Sequence, residues 1–203
     1  MGYYHLVFSV PHELVPLMWQ NKRQLFSLLF EASAAALIDV AADPKHLGAE
    51  LGFLSILHTW GQTLTPHPHI HCVVPGGGLA PDRSRWIAAR SSFLLPVKVL
   101  SRVFRGKFVA GLRRLFARGQ LRFFGDCIPL DEQNRFASFL RELYRQDWSS
   151  MPSRPSAAPG TCSIIWLATP TVSPSPTIGC LPSLLPRSIS AGRTTPTAVN
   201  SAP

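Results

Sequence analysis

Apolar residues cluster in eight stretches between Tyr3 and Trp148, and the period of each stretch predicts its element. Tyr3 to Val10 is apolar-rich and short, the pattern of a strand. Pro11 to Val15 forms a link, and Pro16 suits the first turn of a helix. That helix runs to about Ala41, with Leu17, Leu25, Leu28, Leu29 and Ala36 as core positions and Trp19 and Phe26 as further candidates. Leu51 to Leu57 and His69 to Val74 read as two strands, and the segment between them is long enough to turn back and pair them antiparallel. Gly76-Gly77-Gly78 reads as a turn and Trp86 to Leu94 as a fourth strand. Pro96 starts a second helix running to about Arg118; Leu121 to Phe124 reads as a short strand and Asp131 to Tyr144 as a third helix. This order predicts an α+β fold, an antiparallel sheet with flanking helices. Trp60, Trp86 and Trp148 are assigned to its core.

Charge and composition divide the chain near Trp148. Residues 1–148 hold 17 Lys/Arg and all 11 Asp/Glu, whereas residues 149–203 hold three Arg and no acid. The second part also carries ten of the 19 prolines and 18 Ser/Thr. Prolines at that density break regular elements, and no period survives there. The expected organisation is a folded body over 1–148 and a disordered Pro/Ser/Thr-rich tail over 149–203. A net charge of +9 favours a polyanionic partner, most simply nucleic acid. Cys72, Cys127, Cys162 and Cys180 form no C-x-x-C pair, which argues against a disulfide framework or zinc finger and fits a cytoplasmic protein. No secretory leader and no long uncharged apolar run is read, so no membrane partner is expected.

The densest chemistry lies in His67-Pro68-His69-Ile70-His71. Side chains two apart on a strand share a face, so His69 and His71 can aim at one point. Two neutral imidazoles on a rigid strand make half of a divalent metal site. Gln62, His58 and His67 are candidates for a third ligand or for support behind the ligands, with His67 ranked lower because Pro68 disturbs its geometry. Such an ion can polarise a phosphate oxygen and stabilise charge in phosphoryl transfer. The helix from Pro96 supplies Lys98, Arg102, Arg105, Lys107, Arg113 and Arg114 as candidate phosphate contacts, which give affinity without sequence choice. Gly106 and Gly111 can admit another backbone close to that helix.

These residues resemble the two-tyrosine, HUH-type transposases of the insertion sequence 91 group, HUH meaning His-hydrophobic-His. The resemblance begins with Tyr3-Tyr4-His5-Leu6-Val7-Phe8, Pro11-His12-Glu13-Leu14 and Asn21-Lys22. It is most specific over Leu57 to Gly78, continues through Leu100 to Phe108 and ends at Leu143-Tyr144-Arg145-Gln146-Asp147-Trp148. It implies rolling-circle transposition on single-stranded DNA at transposon ends. It also implies that His69 and His71 hold a divalent metal, magnesium or manganese being expected. A tyrosine then attacks the scissile phosphate, leaving a 5′-phosphotyrosine link and a free 3′-OH. The implied fold is an antiparallel sheet with flanking helices.

Two departures stand against that pattern. The family's cysteine-rich zinc segment before the first strand is missing. Its tyrosine pair, spaced by four, should follow Trp148, where the tail has no tyrosine. Read one base out of frame, the codons for Ser149 to Ile178 can spell a continuation containing Y-L-A-R-Y, the two-tyrosine motif. The expectation is therefore a frameshifted remnant that binds metal and single-stranded DNA and lacks its nucleophile. The alternative is a non-catalytic DNA-binding remnant that interferes with an intact transposase.

Overall fold

The computed structural model describes residues 2–61, 65–89, 94–146, 148 and, as backbone alone, 150–153. Alternation in β1 (Tyr3–Ser9) sends Tyr4, Leu6 and Phe8 into the core and turns His5, Val7 and Ser9 to the other face. β3 (Pro66–Pro75) does the same with buried Ile70, Cys72 and Val74 against His69, His71 and Val73. These strands pair antiparallel with Val7 opposite His71 and Ser9 opposite His69. β2 (Leu54–Trp60) pairs with the far side of β3, and His58 stands opposite His69. β6 (Ser150–Ser153) closes the other edge, giving the order β2-β3-β1-β6. The fold is α+β, an antiparallel sheet with flanking helices, as the pattern predicts.

The helices bury one face of this sheet. α1 (Val15–Gln20), α2 (Lys22–Ala42), α3 (Val97–Ala117) and α4 (Gln133–Arg145) share one core with it. Phe104 meets Phe8 edge-on at 5.0 Å, and Trp148 packs against both Phe104 and Phe108. Leu17, Leu25, Leu28, Leu29 and Ala36 are all buried, whereas Trp19 and Phe26 are half-buried. α2 is the one helix among the described residues long and apolar enough to cross a membrane. Packing against the sheet and α3 accounts for that composition, since its Leu25, Leu29 and Leu37 are fully buried. At Gly111 a Cβ would lie 2.1 Å from Leu28 Cδ1, so this glycine lets α2 approach α3; at Gly106 a Cβ would meet only the Tyr144 hydroxyl, at an ordinary contact distance of 3.8 Å.

Several expectations need correction. The first long helix is two, broken at Asn21, whose backbone leaves the helical region at φ −126° and ψ 42°. The buried Asn21 side chain donates to the Leu17 and Arg122 carbonyls and accepts from the Arg122 N–H. Gln20 makes a matching pair of bonds with Phe124. These two amides satisfy the backbone that a neighbouring strand would otherwise satisfy, so Leu121 to Phe124 is extended but not a strand. A 3-10 turn, Gly125–Asp131, follows.

The glycine triplet is not a turn. Gly77–Leu79 is a short strand, β4, paired with β5 (Trp86–Ala88) in a separate two-stranded sheet. A Cβ at Gly78 would stand 2.4 Å from the Glu50 carbonyl oxygen, so the glycine is needed for backbone contact. β5 stops at Ala88, and residues 90–93 of the expected fourth strand lie outside the described residues. β2 starts three residues later than expected, at Leu54, and β3 starts at Pro66. Of the three tryptophans assigned to the core, only Trp148 is buried; Trp60 and Trp86 are 47% and 42% exposed. The pairing of β6 with β1 carries regular structure past the expected boundary at Trp148. The rest of the tail, 154–203, lies outside the described residues.

Candidate metal centre

Among the described residues the helices lie on one face of the sheet, and the other face carries the imidazoles. Antiparallel register gathers them from three strands: His5 on β1, His58 on β2, and His67, His69 and His71 on β3. His58, His69 and His71 each offer one ring nitrogen, and these three atoms lie within 4.8 Å of one another. That is wider than a closed site with metal–nitrogen bonds of about 2.0–2.1 Å, and within what side-chain rotation closes. The donor set is chemically suitable for a divalent transition ion.

The surrounding hydrogen bonds orient the donors. His69 Nδ1 lies 2.6 Å from the His67 carbonyl oxygen. A carbonyl only accepts, so Nδ1 carries the proton and the Nε2 lone pair is left for an ion. His71 Nδ1 lies 2.6 Å from His5 Nε2, with the two rings nearly coplanar in orientation. His71 is thus held through one nitrogen, leaving the other to converge with its neighbours, the arrangement typical behind metal-ligating histidines. His67 enters through its carbonyl rather than as one of the three converging rings. Gln62 lies outside the described residues. His5 was not anticipated: its only signal is its alternation with Tyr4 and Leu6, and its partner is 66 residues away.

Burial pushes the His71 imidazole down to about 3, assisted by His58, His69 and His5. Burial also lowers His5, His58 and His69 from the ordinary value of 6.5. All four rings are therefore neutral at pH 7, the form that binds a cation. In the unfolded chain they take up protons near pH 6.5; in the fold they resist. Below that pH the unfolded chain binds more protons, so the stability present above 6.5 is lost as pH falls towards the folded values. The melting temperature of metal-free protein is expected to decline from neutral pH to roughly pH 5. A flat profile over that interval contradicts this electrostatic picture.

Cys72, next to His71 in sequence, faces the core beside Ser55, and burial pushes its thiol up to about 12. It stays protonated and is no ligand. The cations expected to meet phosphate lie elsewhere. Helix α3 packs on the sheet face opposite the imidazoles. Its Lys98, Arg102, Arg113 and Arg114 are exposed. Lys107 instead pairs with Asp39 at 2.6 Å. Arg105 donates to the Gln146 carbonyl and lies over the Tyr144 ring.

Residues 52–164 match a family model described as "Putative transposase". The chain is 48% identical over 157 residues to "Putative transposase y4qJ" of Sinorhizobium fredii, covering 77% of this chain and 39% of that protein. It is 44% identical over 75 residues to the "Transposase for insertion sequence element IS801" of Pseudomonas savastanoi pv. phaseolicola, covering 37% and 17%. The chain thus spans two fifths or less of the length of these relatives. Among solved structures, it is similar to TrwC complexed with a 27-mer DNA, at 20% identity and a TM-score of 0.43, over 68% of this chain and 54% of that one. A copper-bound complex of the conjugative relaxase TrwC with oriT DNA gives 21% identity and a TM-score of 0.42, over 61% and 45%. With more than half of its length on the family model, the chain belongs to the transposase family of the insertion sequence 91-like elements.

Proposed function

We propose that this chain carries the metal-binding body of a rolling-circle transposase, a domain over 1–148 whose sheet is extended at one edge by β6 and that receives single-stranded DNA from transposon ends on the imidazole face of that sheet. The convergence of His58, His69 and His71 on that face carries the reading. A bound divalent ion would polarise a scissile phosphate oxygen and stabilise the charge that develops on it. His69 and His71 are the principal ligands, His58 is the third, and His5 and the His67 carbonyl hold the rings in place. Imidazole donors suit manganese and later transition ions better than magnesium, so manganese is the better of the two expected ions. Exposed Trp60, at the end of β2, offers an aromatic face on which an unpaired base can stack. Lys98, Arg102, Arg113 and Arg114 supply phosphate contacts away from the metal, and Lys107 and Arg105 do so only by giving up the partners they now hold.

The chain acts in the cytoplasm, binds its strand and does not cut it, because the tyrosine pair belongs to the other reading frame of the tail. Fluorescence anisotropy of a labelled single strand tests this. Manganese is expected to raise affinity over chelator-treated protein by about tenfold, or ~1.4 kcal/mol. Binding that ignores metal would favour the second reading, a DNA-binding remnant with no metal function, consistent with the excess of positive charge.

A further inference from the structure

A second site lies on the helical side of the molecule, in an open groove between α2 and the C-terminal end of α3. Arg23, Arg114, Arg118 and Arg122 line it, with Glu31 as its one acid. None of the four arginines forms an ion pair among the described residues, and all are exposed. Two features argue that the cluster is more than a solvated surface. Arg23 sits in the first turn of α2, where the helix dipole disfavours a cation, and no acid in that turn offsets it. The backbone of Arg122 is fixed at the groove by the buried Asn21 side chain, which binds both its N–H and its carbonyl. Gly111 brings the two helices close enough for Arg114 in the last turn of α3 and Arg118 at its C-cap to share a groove with Arg23.

The lining also indicates the occupant. The groove is about 670 Å³, far more than one inorganic anion needs. Among the described residues no aromatic side chain lines it, so they give it no platform for unpaired bases. Four free guanidiniums suit phosphates at the charge density of a duplex. We propose that this groove grips the backbone of double-stranded DNA without reading its sequence, while the opposite face of the sheet takes the single strand. The inference rests on DNA as the substrate class of the proposed function, and it does not depend on the metal. It would let one body hold a duplex flank and an unpaired end on opposite sides.

The test is the salt dependence of binding to a blunt duplex by the full chain. Each phosphate contact contributes about 0.9 to the slope of log affinity against log salt. Arg114→Ala/Arg118→Ala is expected to reduce that slope by about 2. Arg135→Ala/Arg141→Ala, on α4, removes the same charge outside the groove and is expected to leave the slope near the unsubstituted value. Arg114→Lys/Arg118→Lys should retain most of the binding and guards against misfolding. Equal losses in the groove and α4 variants, or no loss in the groove variant, overturn the proposal, as does a wild-type chain that does not bind duplex. The manganese dependence of single-strand binding, the ratio of affinities with and without the ion on the same proteins, should persist in the groove variants even where the loss of Arg114 lowers single-strand affinity overall. Its loss from the unsubstituted chain would count against the metal reading alone.

Discussion

Incubated with manganese and a single-stranded oligonucleotide, the chain is expected to form no covalent protein–DNA product. A nucleophile must stand about 3–3.5 Å from the phosphorus it attacks. The sequence has three tyrosines. Tyr4 is 6% exposed and points into the core. Tyr144 is 51% exposed, but it sits on α4 in the helical layer with the Arg105 guanidinium over its ring, away from the imidazole face. Tyr3 does share the face of His5 and is 49% exposed. It stands opposite Pro75, however, whereas Val7 stands opposite His71. Four residues at ~3.4 Å each place its backbone roughly 14 Å along the strand, beyond the reach of a phenol ring. A chain in which the frame after Trp148 is shifted to restore Y-L-A-R-Y should form the adduct. Denaturing electrophoresis with a labelled strand distinguishes the two. An adduct on Tyr3 or Tyr144 of the chain as it stands would contradict the proposal.

Replacing His71 with alanine is expected to weaken manganese binding by more than ~100-fold, or upwards of ~2.7 kcal/mol. His71 lies at the centre of the cluster, with ring centroids 4.2 Å from His58 and 4.8 Å from both His69 and His5. In the proposed site its loss removes one of the three ligands and also releases His5. Supporting groups behind metal ligands typically contribute 10–100-fold, and a ligand itself contributes more. His12, with its side chain 87% exposed and remote in register from β3, serves as a control: His12→Ala should bind as the unsubstituted chain does. Isothermal titration gives both affinities. Equal binding by His71→Ala and the parent would remove the cluster from consideration.

The elements that carry this site were legible because period-two alternation is a local property. Tyr4, Leu6 and Phe8 against His5, Val7 and Ser9, and Ile70 and Cys72 against His69 and His71, can be sorted into faces from sequence alone. Which faces meet across strands depends on register, which a single chain does not declare. That is why His58, opposite His69, could not be separated from Gln62 and His67, and why His5 was missed altogether. The errors elsewhere share one cause, backbone satisfied from a distance. Leu121 to Phe124 has strand-like composition, yet its hydrogen bonds go to the side chains of Gln20 and Asn21, about a hundred residues earlier. The glycine triplet suggested a turn, while Gly77 and Gly78 are small because the carbonyls of Ile87 and Glu50 press against them. The basic helix was recognised as a helix, but only tertiary contacts reveal that Asp39 and Gln146 occupy Lys107 and Arg105.

The most direct measurement is an anomalous difference map from crystals of the chain grown with manganese. The account predicts one strong peak bounded by ring nitrogens of His58, His69 and His71, with His5 still against His71. A map with no peak on that face, or with manganese held by other residues while these three rings stay apart, would contradict it.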